Sequence, residues 1–389
     1  MIKLLVVDYI GNSKSWIEQF INLEKVEITR TLLISDKDQD KLIASTEWDY
    51  ILVFEYNMRN VFLSLVNALK IPPYKIFYAL DLANWSVNPR AAYSILKPRE
   101  EGYNLFHRYL DLNLEQQMSN FITCTTVDGI SYIATSKDRA IMPQMYVFRQ
   151  NFVADEIKAF YQLSKKYYYF NETEQTGGGY FLDLGANIGT TCIYFKKKFN
   201  DQLKILAFEP DPTNYMLLKI NLMLNHVDND SIAERLGLGA EKSEQLMHIN
   251  LKNPGNNSIY PDNADLPTVK INIVSLDDYI FKNSINCNEI KYIWIDTEGF
   301  EAQVILGAKH LISENSIPIF MEFNPTAWDK TDVYDELIEF LEKCYKSYIS
   351  IPDFIKNNGT SELHPIRELL KFKGVKVATG SMGDIFLVR

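Results

Sequence analysis

The stretch FLDLGANIGTTCIYF, Phe181 to Phe195, restricts what this chain can fold into more than any other. Phe181, Leu182 and Leu184 read as a buried strand, Gly185 to Gly189 as a sharp turn, and Ile188, Thr191, Cys192, Phe195 and Phe199 then follow helical spacing. A strand that passes through a glycine turn straight into a helix is the opening unit of an open α/β sheet. Gly185 and Gly189 let the backbone turn tightly and approach a ligand, while the helix N-terminus aims unpaired N–H groups at it.

Glu209 follows 26 residues after Asp183, at the end of a second strand in ILAFEPD, where an acid can accept both hydroxyls of a ribose. Asp211 is the expected N-cap of the next helix and Pro212 its first residue. Strands are expected near Tyr180–Leu184, Lys204–Phe208, Ile232–Leu238, Tyr292–Ile295, Ile317–Phe323, Ser347–Ile351 and Asp384–Val388. Met247–Ile249 and Val269–Val274 would form an extra pair. The first 115 residues alternate strands (Ile2–Val7, Ile28–Ile34, Tyr50–Phe54, Tyr74–Ala79) with helical patterns at Trp16–Leu23 and Val61–Leu69. At 389 residues the chain exceeds the usual size of a single core. The expected division is a smaller N-terminal α/β domain over 1–115, a connecting segment of strands and helix over 116–175, and a main α/β domain over 176–389. The polar loop over 171–179 leads into the last of these.

A glycine loop with a strand-end acid suits either a dinucleotide or S-adenosylmethionine, and spacing separates them. Against G-x-G-x-x-G, the chain presents Gly185, Asn187 and Thr190, matching only the first glycine. Against acid-x-G-x-G-x-G it presents Asp183, Gly185, Asn187 and Gly189, with one substitution.

Two further stretches sharpen this choice, AFEPDPTNYMLLKINLMLN and KYIWIDTEGFEAQVILGAKHLI. With the opening loop, in this order, they resemble the FkbM family of S-adenosylmethionine-dependent methyltransferases, and Asn187 stands where that family carries its asparagine. The resemblance covers Tyr180 to Phe323, and more loosely the C-terminal strand. It implies a class I methyltransferase (Rossmann-like) fold with a mainly parallel seven-stranded sheet. It also implies a cofactor site drawn from Asp183, Gly185, Ala186, Asn187, Gly189, Thr190, Glu209, Pro210, Asn214, Leu238 and Asp296. The stretch RLGLGAEKSEQ lacks the acid that binds the adenine amino group in many methyltransferases, so Leu238 and Gly239 would serve through their backbone.

Methyl transfer from a sulfonium needs an aligned acceptor oxygen and a base for its proton. Asp296 and Glu298 sit at the carboxyl end of the fourth strand, where open α/β sheets bind ligands, and are the expected catalytic pair. Glu301, in the first turn of the next helix, has a ready explanation in the helix dipole. Glu322 reaches the same edge; with Asp296 and Glu298 it could hold magnesium, although no metal is assigned. The expected activity is O-methylation of a hydroxyl on a sugar, polysaccharide precursor or natural-product intermediate. Two alternatives stay open: an NAD(P)-dependent oxidoreductase or epimerase acting on a nucleotide sugar, and a noncatalytic binding module.

A formal charge of −10 disfavours a general attraction to nucleic acid or anionic lipid. The run Lys196, Lys197, Lys198 reads as the solvated end of a helix. Cys124, Cys192, Cys287 and Cys344 form no C-x-x-C pair, against both a zinc site and a disulfide framework. No signal peptide or membrane-spanning run is apparent, so a cytoplasmic protein is expected. The expected partner is a small-molecule or glycan acceptor. The N-terminal domain is assigned acceptor recognition or self-association into a homo-oligomer, since it lacks a phosphate loop after its first strand.

Overall fold

The protein is described here by a computed structural model. It covers residues 1–9, 11, 13–33, 39–55, 65–66, 69–72, 75–79, 95, 121–135, 138, 140–169, 177–250, 253–260, 265–375 and 383–389. The helix expected over Val61–Leu69 and the polar loop over 171–179 lie largely outside them. The chain forms two compact units, Met1–Asp128 with Met142–Gln150, and Gly129–Ile141 with Asn151–Arg389.

In the first unit, β1 (Ile2–Asp8), β2 (Val26–Leu33), β3 (Tyr50–Phe54) and β4 (Ile76–Tyr78) form a parallel sheet of order β2-β1-β3-β4. Side chains alternate along a strand, so Leu4 and Val6 pack with Ile17 and Ile21 on one face, and Leu5 and Val7 with Leu32 and Ile43 on the other. Both faces are covered, as a parallel sheet requires. Asp8 ends β1 and accepts the Gly11 and Ser13 amides, starting the helix Ser13–Phe20. β5 (Phe121–Thr125) also belongs to this unit.

The second unit begins with β6 (Ser131–Thr135) and the helix Ala154–Tyr167. Its main sheet then uses β7 (Gly179–Leu184), β8 (Leu203–Phe208) and β9 (Ser231–Glu234). A side sheet contains β10 (Gly237–Leu238), β11 (Ser243–His248) and β12 (Thr268–Val274). The main sheet resumes with β13 (Ile290–Ile295), β14 (Ile319–Met321), β15 (Ser347–Ser350), β16 (His364–Pro365) and β17 (Ile385–Val388). Its order is β16-β15-β17-β14-β13-β7-β8-β9, parallel from β14 to β9 and antiparallel where β17 enters beside β14 and β15. This is the doubly wound class I methyltransferase arrangement, with eight strands instead of seven; the extra strand is the two-residue edge β16 paired with β15.

From β7 the chain winds outward through β8 and β9, and from β13 it winds the other way. The crevice beyond the carboxyl ends of β7 and β13 is therefore the topological switch point, where such sheets bind ligands. Phe160, on the helix Ala154–Tyr167, anchors one face of the sheet against Phe195, Tyr292, Trp294, Phe320 and Phe386. Trp294 stacks on Phe320 at 3.4 Å, so β13 and β14 are held together beside the crevice.

Two expectations are corrected. The strand expected over Ile232–Leu238 is two strands: Ser231–Glu234 pairs with β8, while Gly237–Leu238 leaves the main sheet for β12. Leu236 and Leu238 thereby face a ligand cleft instead of continuing the sheet edge. The lysine run is not uniformly solvated. Lys196 is buried, its ammonium donating to the Asp201 and Leu203 carbonyls and lying 3.6 Å from Asp230, while Lys197 and Lys198 are exposed. All four cysteines are free thiols.

Candidate functional site

At the switch point the Gly185 loop and the end of β13 touch through backbone. The Asp296 amide donates to the Leu184 carbonyl, and a Cβ added at Gly185 would come within 1.8 Å of the Asp296 carbonyl oxygen. With φ at 96° as well, only glycine fits there. Two residues on, Asn187 adopts φ 48°, a conformation asparagine tolerates better than most residues. Its amide donates to Glu209 Oε2 at 2.8 Å, and the Asp211 amide donates to Glu209 Oε1 at 2.8 Å. One acid thus ties the end of β8 to the glycine loop. Asp211 caps the next helix as expected, accepting the Thr213 and Asn214 amides ahead of Pro212.

Two clefts open on this frame. The first, about 620 Å³, lies between Glu209, Pro210 and Asn214 on one side and Leu238, Met247, Ile271, Ile273 and Phe300 on the other. The second, about 550 Å³, is lined by Ile141, Phe152, Val153, Thr190, Thr191 and Asn253, among others. Gly185, Asn187, Gly255, Asp296 and Glu298 line both. The segment 253–260 is tied over the clefts by bonds from Asn214 Nδ2 to the Pro254 carbonyl and from Ser258 Oγ to the Glu298 carbonyl.

The expected site residues fall into three groups. Gly185, Asn187, Glu209, Pro210, Asn214, Leu238 and Asp296 line the first cleft. Ala186 and Thr190 line the second, with Glu298 in both. Asp183 and Gly189 line neither. Asp183 is buried behind the loop, its Oδ2 accepting the Cys192 amide in the first turn of the helix Thr190–Phe199, and burial raises its carboxyl to about 6. Gly189 precedes that helix at φ 87°.

Asp296 faces the clefts but is otherwise enclosed. Burial, and then the neighbouring acids Asp384, Glu301 and Asp183, raise its carboxyl to about 8. Burial acts first on Glu298 and Glu322 too, and Asp296, Glu301 and Asp384 add to it, with Glu298 also acting on Glu322, so that both lie well above the usual carboxylate range. Among the described residues, no three His, Cys, Asp or Glu side chains gather so as to hold a metal ion. Glu209 is raised to about 8, by burial above all.

Glu301 is fully buried and holds the loop that carries Glu298. Its Oε1 accepts the Thr297 amide and hydroxyl and the Gly299 amide, and its Oε2 accepts the Trp328 indole N–H at 2.9 Å. This explains how Glu298 at φ 52° and Gly299 at φ 97° persist at the cleft edge.

Asn221 and Asn225 were missed as scaffold residues. Asn221 on the helix Pro212–Leu224 and Asn225, its C-cap, are both buried and bond both backbone groups of Ile133 and of Ser131, respectively, like a neighbouring strand, docking β6. Asn221 also donates to the Ile188 carbonyl in the glycine turn. Two asparagines at i and i+4 on an apolar helix were the available signal. The walls from Ile141, Phe152 and Val153 had none, because apolar residues do not advertise a distant cleft.

The lining of the first cleft offers the kinds of contact that an adenosyl ligand with a methionine tail needs. Each Glu209 oxygen accepts one amide and keeps further acceptor capacity for a hydroxyl. The aliphatic walls suit a purine ring, and Gly185 has no side chain to block backbone approach. Asn187 Oδ1, buried and without a hydrogen-bond partner, is available to a polar ligand group.

Residues 183–348 match the model of the methyltransferase FkbM domain. Methyltransferase 1 of Beauveria bassiana (strain ARSEF 2860) is 26% identical over 146 residues, covering 33% of this chain and 57% of that protein. Methyltransferase sdnD of Sordaria araneosa is 37% identical over 83 residues, 21% of this chain and 32% of that protein. The chain thus spans little more than half of the first relative and a third of the second. Among solved structures, methyltransferase FkbM from Methylobacillus flagellatus KT is 13% identical, with a TM-score of 0.30 over 87% of this chain and 84% of that one. Among the described residues no helix is long and apolar enough to cross a membrane.

Proposed function

From residues 183–348 being an S-adenosylmethionine-dependent methyltransferase domain of the FkbM family, we propose that this protein methylates a hydroxyl of a sugar, polysaccharide precursor or natural-product intermediate. The observation that carries the reading is the meeting of two clefts at Asp296 and Glu298, one suited to the cofactor and the other free for an acceptor. The cofactor's sulfonium supplies an already activated methyl group, so the protein's task is alignment and proton removal. Asn187, Asn253, Thr190 and Thr191 offer neutral polar contacts in the second cleft, and Ile141, Phe152 and Val153 offer apolar ones. That mixture suits a hydroxylated ring.

In this reading Asp296 and Glu298, which line both clefts, accept the hydroxyl proton. A carboxyl raised to about 8 is a stronger base than an ordinary carboxylate and remains partly ionised near neutral pH, the regime in which general bases work best.

S-adenosylmethionine and S-adenosylhomocysteine should each raise the melting temperature, whereas NAD should not. Stabilisation by NAD alone would overturn the reading. Glu209→Ala should weaken binding of either sulfur ligand by roughly 1–3 kcal/mol in calorimetric titration, the scale of a buried polar group left without its partner. A folded variant with unchanged affinity would remove Glu209 from the site.

A further inference from the structure

The wall shared by the two clefts has an unusual charge balance. Asp296 and Glu298 line both; Asp183 on β7, Glu301 on the helix after β13 and Asp384 before β17 act electrostatically on one or both, and Asp296 and Glu298 act in turn on Glu322 after β14. No Lys, Arg or His occurs among the described residues that line either cleft. Negative charge gathered in a poorly solvated place must be neutralised by protons or by a bound cation.

Building on the proposed methyl transfer, we infer that the junction carboxylates discriminate the charge on the cofactor sulfur, holding the cationic donor more tightly than its neutral product and favouring an uncharged acceptor. The balance of the reaction agrees. The acceptor O–H bond breaks and its proton passes to a junction carboxylate. The methyl carbon–sulfur bond breaks, leaving its electron pair on sulfur, and a carbon–oxygen bond forms. One positive charge leaves the sulfur and one negative charge leaves the carboxylates. A cation beside an anion becomes two neutral groups, so the reaction removes the attraction that held the donor. An acceptor bearing a carboxylate or phosphate would instead bring a like charge to these acids, where partial desolvation strengthens repulsion.

Calorimetric titration of the full chain with S-adenosylmethionine and S-adenosylhomocysteine tests this without turnover. The sign follows from Asp296: its carboxyl, raised to about 8, is mostly protonated at about pH 6 and mostly ionised at about pH 9. The affinity ratio of donor over product should therefore rise with pH, reaching about 10-fold or more at about pH 9 and approaching about one at about pH 6. Asp296→Asn should flatten this dependence while keeping product affinity within a few-fold. If that variant does not fold, Glu298→Gln provides the same comparison. Equal or tighter product binding at both pH values, with both ligands bound, overturns the inference while leaving the cofactor assignment standing. Binding of neither ligand removes the cofactor assignment, and the inference with it.

Discussion

Asp296→Asn or Glu298→Gln is expected to slow single-turnover methylation, at saturating S-adenosylmethionine, by about 10²-fold or more, the range of a placed general base. These substitutions preserve side-chain shape and remove the charge, so they isolate proton uptake from packing. Both carboxylates line the two clefts at their meeting point, and both are held above the ordinary carboxylate range by burial first and then by neighbouring acids, Asp384 and Glu301 among them. S-adenosylhomocysteine affinity should stay within a few-fold of wild type, because Glu209 and the glycine loop remain intact. Wild-type rates in both variants would show that neither carboxylate handles the proton.

Glu301→Ala is expected to destabilise the second unit by about 3–5 kcal/mol, among the largest effects of a single substitution. The buried carboxylate accepts four hydrogen bonds, from the Thr297 amide and hydroxyl, the Gly299 amide and the Trp328 indole. Alanine would leave those donors without their partner and open a cavity against Trp328, itself fully buried. Urea denaturation of the two proteins measures the difference. A loss below about 1 kcal/mol would show that water or another side chain replaces the carboxylate.

The assignment of Glu301 shows where sequence reasoning stopped. A helix-dipole role was legible because it depends only on position within the first turn. The bond to Trp328 joins residues 27 apart in the chain, and nothing local specifies that Trp328 will lie beneath the loop. Lys196 makes the same point. In the sequence it is one of three adjacent lysines, but its helix register turns it inward, where the Asp201 and Leu203 carbonyls receive its ammonium.

Elements with short-range causes were legible in the amino-acid order. The turn at Gly185, the Asp211 cap before Pro212, and the order of strands through β7, β8 and β13 follow from backbone freedom, capping and alternating apolar runs. That Glu209 and Asp296 would line a cleft was legible because strand ends at the switch point of an open sheet border the crevice. The folded chain was needed to show that the expected third strand breaks after Glu234, freeing Leu236 and Leu238 to line the first cleft. It alone placed Asp183 behind the loop, and brought Ile141, Phe152 and Val153 to the second cleft from the part of the second unit that precedes β7. The physical reason is common to all three. Local rules choose the state of a segment, whereas what a side chain faces depends on which distant segments close over it, and that is settled by burial of the whole core.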